Sequence, residues 1–177
     1  AEKRFIHTRR IDRSLHKVRQ NAAVMKLDPP PSPRIRLNAA QREKAATLIP
    51  SGGPVIGIGP TANWSGKIWP PGCFIELVAD LIHPQSGLFP LARIAVFAAP
   101  GEEYLAEDIV TALPPELCIN LLGKTDVMVA AACLERCALY VGNDSGLMHM
   151  AAALNVPTMG LFGPGWPEIY SPWGERT

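Results

Sequence analysis

Asp144, Ser145 and His149 stand close together in the stretch GNDSGLMH, and they are residue types that bind anions or move protons. Residues 138–142 form a short apolar run typical of a strand, and the residues after Asp144 have helical spacing. A helix that begins there directs unpaired backbone N–H groups and its positive end outward, and Gly146 would let an anion approach the backbone closely. Asp and Ser are also common helix caps. The local pattern therefore leaves two interpretations open, a cap and an anion site.

Lys67 is a second polar residue with a candidate chemical role. It lies in the loop PTANWSGKIWP, which follows an apolar run at residues 54–59. A lysine in such a loop can reach a phosphate as a point charge, and the proline after the tryptophan fixes the start of the next helix. Ligands of open α/β sheets bind beyond the carboxyl ends of the strands, where both Lys67 and Asp144 fall. We therefore expect the two loops to share a diphosphate site.

From Ser51 onward, short apolar runs alternate with helical segments. Strands are predicted at 54–59, 93–99, 118–122, 138–142 and 158–163, and helices at 71–83, 102–113, 125–137 and after Asp144. Thr125 is the expected N-cap of the 125–137 helix. Upstream, a helix is predicted around 15–27, and a second one begins after Asn38 and ends before Pro50. The alternation predicts an α/β fold, with one Rossmann-like parallel sheet and helices on both faces.

Composition sets limits on the class of protein. Hydrophobic residues make up 47% of the 177 residues and charged residues 19%, and the formal net charge is +1. This is an ordinary globular composition, and it gives no electrostatic argument for a nucleic-acid partner. No apolar stretch approaches the roughly 20 residues of a membrane span, and no signal core follows the charged N-terminus. The sequence predicts a cytoplasmic protein.

The charge is distributed unevenly along the chain. Through Arg36 there are ten Lys and Arg residues against three Asp and Glu, which gives +7 and leaves −6 for the remainder. We predict a basic helical arm with a Pro-rich linker over residues 1–36, followed by a Rossmann-like domain over 37–177. A basic arm suits an anionic neighbour, such as another domain or the inner face of a membrane, while a solvated helix face is equally consistent.

The four cysteines do not form a CxxC pair. Cys133 and Cys137 are four residues apart and would share one face of a helix, so a metal or redox pair is the minor alternative to small buried side chains. No metal is predicted. An NAD-dependent enzyme is poorly supported, because no G-x-G-x-x-G follows the first strand.

Two segments together resemble the bacterial lipopolysaccharide heptosyltransferase family. GNDSGLMHMAAALNVPTMGLFGP is similar to the family pattern D-[ST]-G-x-x-H-x-A-A-A followed by a strand that ends in F-G-P, and GPTANWSGKIWP contains its K-x-W-P element. The resemblance runs from about Arg13 to Gly174. It implies a glycosyltransferase of the GT-B kind, with two facing Rossmann-like halves, of which this chain resembles the C-terminal, donor-binding half.

The resemblance also implies roles for particular residues. Lys67 and Asp144 are the candidate catalytic residues, with Lys67 on the donor's phosphates. The candidate substrate-binding residues are Thr61, Trp64, Lys67, Glu102, Asp144, Ser145, Gly146, Leu147 and His149, with Glu103 as the register alternative to Glu102. The implied donor is an ADP-linked heptose and the implied acceptor a lipid-anchored inner-core sugar, with no cofactor. The general base and most of the acceptor site belong to the family's N-terminal half, which we expect this chain to lack.

One local departure from the family pattern lies after F-G-P. The family usually has Thr and then Asp there, whereas this chain has Gly165 and Trp166. Contacts to the nucleotide or to the transferred sugar are therefore expected to differ. The departure and the expected absence of one half keep a second hypothesis open, a non-catalytic module that binds a nucleotide or a phosphorylated glycan.

Overall fold

The computed structural model describes residues 11–177, so the first part of the predicted basic arm lies outside the described residues. Five strands form one sheet: Val55–Gly59 (β1), Arg93–Ala98 (β2), Cys118–Leu122 (β3), Leu139–Asn143 (β4) and Thr158–Leu161 (β5). All neighbours pair in parallel, in the order β3-β2-β1-β4-β5. The predicted parallel α/β sheet is confirmed.

Seven helices accompany the sheet in the described part of the chain. They are Lys17–Val24 (α1), Ala39–Leu48 (α2), Pro71–Ile82 (α3), Glu107–Ala112 (α4), Val127–Leu134 (α5), Gly146–Ala153 (α6) and Pro167–Tyr170 (α7). Asn38 caps α2 through a reciprocal pair with Gln41, as the sequence indicated. The predicted helix 102–113 is shorter, because Glu103–Leu105 forms a separate 3-10 turn before α4.

The predicted N-cap of α5 was wrong by one residue. Asp126, not Thr125, occupies that position, and its carboxylate accepts hydrogen bonds from the backbone N–H groups of Met128 and Val129 at 2.9 and 2.8 Å. A carboxylate is also favourable at the positive end of the helix, which explains why Asp is used over the neighbouring Thr.

Helices cover both faces of the sheet. On one face the buried core includes Ala45 of α2, Leu134 of α5 and Met148 of α6. On the other face it includes Phe74 of α3 and Ile109 of α4. Strands buried between two helical layers explain the nearly continuous apolar runs in the sequence.

The helix α1 contacts the C-terminal segment of the chain. His16 Nε2 lies 2.9 Å from the carbonyl oxygen of Ser171, and the His16 ring lies 4.6 Å from the ring of Trp173. The Arg19 guanidinium lies 5.6 Å from the centre of the same tryptophan ring, within the range of a cation–π contact. Within residues 11–177, no helix has both the length and the apolar character needed to cross a bilayer.

The cysteine pair is buried in the core. Cys133 and Cys137 are free thiols, and the Cys137 Sγ lies 3.5 Å from the Cys133 carbonyl oxygen. Burial raises the pKa of Cys133 to about 11 and that of Cys137 to about 12, so both are protonated at neutral pH. Neither thiol has the reactive character of a redox or metal-binding cysteine.

Candidate functional site

A cavity of about 560 Å³ opens at the carboxyl edge of the sheet. Its size suits a nucleotide-sized ligand. It is lined by loops that follow the strands and by the first turns of α5 and α6. Eight of the predicted residues line it: Thr61, Lys67, Glu102, Asp144, Ser145, Gly146, Leu147 and His149. The ninth, Trp64, lies outside the lining, where its ring packs over Gly66 and stays 53% exposed.

Lys67 and Asp144 meet inside this cavity. The Lys67 Nζ lies 2.6 Å from Asp144 Oδ2, and the two side chains are 26% and 7% exposed. Lys67 ends a 3-10 turn, Ser65–Lys67, after β1, while Asp144 directly follows β4. Because β1 and β4 are neighbours, the two loops converge as the sequence predicted. The lysine keeps enough access to reach a ligand.

Asn143 holds the two loops together, and sequence reasoning missed it. Its Nδ2 donates to the Pro60 carbonyl at 2.7 Å, and its Oδ1 accepts from the Trp69 backbone N–H at 3.1 Å. The residue is completely buried. Both bonds fasten the loop that carries Lys67 to the end of β4. A polar amide at the end of an apolar strand was the available signal, because such a buried group needs partners.

The two helix N-termini that border the cavity differ. Asp126 satisfies two N–H groups at the start of α5, whereas Ser145, the N-cap of α6 by position, makes no side-chain capping bond. The Asp144 carboxylate pairs with Lys67 instead. A methyl group at Gly146 would meet nothing within 4 Å. The capping interpretation is therefore not supported, and the start of α6 is open toward the cavity.

The structure separates the two candidate carboxylates after β2. The Glu103 carboxylate accepts a hydrogen bond from the Gly101 backbone N–H at 2.7 Å and packs against Gly123, so it stabilises the loop. Glu102 lines the cavity. The geometry favours Glu102 as the residue that can contact a ligand.

His149 lies one turn into α6 and lines the cavity with part of its ring exposed to solvent. Burial of the rest of the ring lowers its pKa, the Asp144 carboxylate partly offsets this, and His16 and Lys67 lower the pKa further. Solvent exposure weakens each of these effects. The net lowering of the pKa favours the neutral ring, and a neutral imidazole can donate one hydrogen bond and accept another.

Gly165 approaches the Lys67–Asp144 pair from the loop after β5. A methyl group at this position would lie 3.1 Å from Asp144 Oδ2. The following residue, Trp166, is 65% exposed. A glycine here lets the loop after β5 pack directly against the buried Asp144 carboxylate, with no side chain between them.

The sequence profile described as Glycosyltransferase family 9 (heptosyltransferase) matches residues 6–177. The chain belongs to this family. Its sequence is 37% identical over 127 residues to lipooligosaccharide heptosyltransferase 2 of Haemophilus influenzae, which covers 70% of this chain and 35% of that protein. It is 34% identical over 149 residues to lipopolysaccharide heptosyltransferase 2 of Escherichia coli K12, with 80% and 41% covered. The predicted family resemblance is confirmed.

The fold of this family 9 chain is shared with a solved relative. The structure of E. coli ADP-heptose LPS heptosyltransferase II superposes with a TM-score of 0.72 at 29% identity, covering 85% of this chain and 45% of that one. The sheet is therefore a Rossmann-like unit of the GT-B architecture. The chain spans less than half the length of each of these relatives. Among the described residues, no three His, Cys, Asp or Glu side chains are grouped so that they could hold a metal ion.

Proposed function

We propose that this chain is the C-terminal, donor-binding half of an inverting heptosyltransferase, which moves a heptose from an ADP-sugar to a lipopolysaccharide core acceptor. Family membership and the names of the relatives support the activity, and the name of the solved E. coli relative includes ADP-heptose. The observation that carries the proposal is the uncapped start of α6, which faces Lys67 across one cavity.

The diphosphate of the donor would bind between α6 and Lys67. The first N–H groups of α6 and the lysine ammonium are donors, and Gly146 removes the side chain that would stand in the way. Charge-assisted hydrogen bonds contribute roughly 1.5 to 3 kcal/mol each, and micromolar affinity requires about 8 kcal/mol. Three such bonds with some apolar contact therefore suffice for micromolar binding by this chain.

The remaining lining would hold the other parts of the donor. Phe97, Ala130 and Met150 give one side of the cavity an apolar surface suited to a nucleobase. Glu102 and Thr61 offer oxygen atoms for the hydroxyl groups of the ribose or the heptose. His149 adds a further hydrogen-bonding group.

Lys67 would serve the chemical step as well as binding. The acceptor hydroxyl attacks the anomeric carbon with inversion, the bond from that carbon to the diphosphate oxygen breaks, and negative charge grows on the leaving diphosphate. Lys67 and the start of α6 stabilise that charge. The proton of the acceptor hydroxyl passes to a general base, which the proposal places on the N-terminal half. This chain alone is then expected to bind the donor without catalysing transfer.

Asp144 would keep Lys67 in place between two anions. A carboxylate beside a diphosphate is repulsive unless a cation separates them, and the 2.6 Å contact keeps the ammonium beside the carboxylate, where it would separate it from a bound diphosphate. The carboxylate can accept a hydrogen bond from a sugar hydroxyl at the same time. Its task is thus to orient the lysine and the sugar.

Calorimetric titration of the 177-residue chain with ADP, UDP and inorganic pyrophosphate tests the proposal. We expect micromolar binding of ADP, and a loss of at least roughly tenfold in the Lys67→Ala variant, because one charge-assisted contact is removed. Lys44→Ala is the matched control, since Lys44 is an exposed lysine of α2 outside the cavity lining. No binding of any of the three, or an unchanged affinity in Lys67→Ala, contradicts the proposal.

The proposed setting is the cytoplasmic face of the inner membrane, where a lipid-linked acceptor would lie. In and around α1, both basic and apolar side chains are exposed: Arg13, Lys17, Arg19, Val24, Met25 and Lys26. Each basic residue near an anionic surface contributes about 1 kcal/mol. Co-sedimentation with vesicles that contain anionic lipid should exceed that with neutral vesicles and fall in Lys17→Glu/Lys26→Glu. Equal sedimentation with both lipids removes the membrane part of the proposal.

A further inference from the structure

Tyr140 is a buried tyrosine of β4 whose ring extends toward the carboxyl edge of the sheet. Its side chain is completely inaccessible to solvent. Two glycines make room for it: a methyl group at Gly59 or at Gly142 would overlap the Tyr140 hydroxyl. The two neighbouring strands β1 and β4 therefore each have a glycine where this hydroxyl lies. A phenylalanine would fill most of the same space without requiring room for a hydroxyl.

The Tyr140 hydroxyl and the Ser145 hydroxyl form a pair of buried polar groups. Within residues 11–177, neither oxygen has a hydrogen-bond partner of acceptable geometry. Burial raises the pKa of Tyr140 well above its usual range, and the nearby Ser145 hydroxyl offsets part of this. The phenol is therefore always a potential donor at neutral pH. Two buried hydroxyls without partners are unfavourable, so a function that uses them is expected.

Ser145 is the member of this pair next to the cavity, and rotation of its side chain would bring the buried Oγ to a ligand there. It lines the cavity and stands directly before the open start of α6. A serine hydroxyl has one proton and two lone pairs, so it can donate to a ligand oxygen while it accepts from a second hydroxyl. A chain of this kind strengthens each of its hydrogen bonds.

We propose that Tyr140 is a positioning residue for the donor's diphosphate, acting through Ser145. When a phosphate oxygen occupies the start of α6, Ser145 Oγ donates to it and accepts the hydrogen bond of the Tyr140 hydroxyl. The tyrosine fixes the direction of the serine proton and polarises it toward the anion. This inference rests on the proposed function, because it needs a diphosphate at α6.

A double-mutant cycle measures the coupling. By calorimetry with ADP and with inorganic pyrophosphate, Tyr140→Phe should weaken binding about fivefold and Ser145→Ala about tenfold, as for loss of a hydrogen bond to a charged group. The double variant should bind as weakly as Ser145→Ala alone, because Tyr140 acts only through the serine. Tyr104→Phe is the control, since Tyr104 is 71% exposed and outside the cavity lining. Urea unfolding of each variant shows that it is folded before titration.

A spectroscopic signal separates positioning from packing. In protein labelled with ¹³C at the tyrosine ζ carbon, pyrophosphate should shift the Tyr140 resonance, and the shift should disappear in Ser145→Ala while Tyr104 stays unchanged. If the unaltered chain binds neither ADP nor pyrophosphate, both proposals are overturned. If it binds them while Tyr140→Phe binds equally well, or the two losses add independently, only the role of Tyr140 is overturned.

Discussion

The amino and carboxyl edges of the sheet each have a cavity bordered by cationic side chains, but these side chains have different partners. At the amino edge, a cavity of about 420 Å³ is bordered by Arg93 and Arg136. Arg93 Nη2 donates to the Pro50 carbonyl and Arg136 Nε to the Ile49 carbonyl, both at 2.7 Å. At the carboxyl edge, Lys67 has a single carboxylate partner among the described residues and faces open space.

The difference follows from which end of a helix each edge presents. Ile49 and Pro50 directly follow α2, and their carbonyl groups, which lie just beyond the negative end of that helix, accept hydrogen bonds from Arg136 and Arg93. The start of α6 carries partial positive charge, and the Ser145 side chain makes no capping bond to its backbone N–H groups. A cation near a helix C-terminus thus fastens the fold, while a cation beside a helix N-terminus adds to an anion site.

Gly142→Ala should have the largest effect, because it attacks the packing beneath the carboxyl-edge cavity. The added methyl would lie 2.7 Å from the Gly59 carbonyl oxygen, which is backbone and cannot move aside, and would overlap the Tyr140 hydroxyl. Overpacking of this kind costs roughly 1 to 3 kcal/mol, and we expect the upper end, measured by urea unfolding.

The amino-edge counterpart is Gly53→Ala. A methyl there meets nothing within 4 Å, so only the positive backbone angle, φ +92°, opposes the change. The expected loss is about 1 kcal/mol. Equal losses of unfolding free energy for Gly142→Ala and Gly53→Ala would show that the carboxyl edge is no more closely packed than the amino edge.

Arg136→Ala should lower stability without affecting the proposed donor site. Removing a charged donor from the Ile49 carbonyl costs about 1.5 kcal/mol, because the end of α2 loses its partner. Urea unfolding gives this value, and titration with ADP should give an unchanged affinity. A weaker affinity for ADP in this variant would mean that the two edges are coupled, which the contrast excludes.

Sequence patterns predicted the sheet and the convergence of the loops that carry Lys67 and Asp144, because both depend on short-range signals. Alternating apolar runs and helical spacing predict parallel strands, and parallel strands bring the loops at their carboxyl ends to one edge of the sheet. That rule is sufficient to place Lys67 close to Asp144. The choice between Glu102 and Glu103 stayed open, since one residue of register decides which carboxylate turns toward the cavity.

Contacts over long sequence separations could not be predicted in the same way. Asn143 bonds to Pro60 and Trp69, which are 83 and 74 residues away, and no local pattern indicates those partners. The space that Gly59 leaves for Tyr140 is likewise visible only when β1 and β4 are paired. Neighbouring residues such as Thr125 and Asp126 both suit a helix cap, so only the observed bonds decide between them.

Gly146→Ala should separate binding from stability at the carboxyl edge. Its methyl meets no protein atom within 4 Å, and alanine favours a helix over glycine by roughly 0.5 to 1 kcal/mol, so stability should hold or rise slightly. The same methyl would project where a diphosphate must approach α6, so we expect ADP affinity to fall about tenfold, or about 1.4 kcal/mol. Gly72→Ala, at the start of α3 and also free of contacts, is the control and should bind ADP normally. Full affinity in Gly146→Ala would place the anion elsewhere.

The smallest expected effect is a pH dependence of stability that arises from His149 at the carboxyl edge. Its pKa is lowered in the folded chain, mainly by burial, so the unfolded chain takes up the proton more readily. Stability is then complete above the ordinary histidine pKa near 6.5 and declines as the pH falls toward the lower, folded value. A full unit of pKa would be worth about 1.4 kcal/mol, and solvent exposure of the ring keeps the loss well below that. Urea unfolding at about pH 7.5 and about pH 5.5, on either side of that ordinary pKa, should show that His149→Gln loses less unfolding free energy at the lower pH than the unaltered chain does.

Bound ADP should reverse this pH dependence of stability in the unaltered chain, because an anion beside His149 favours its protonated form. A donor site at this edge therefore predicts that ADP binds more tightly at the lower pH to the unaltered chain, but not to His149→Gln.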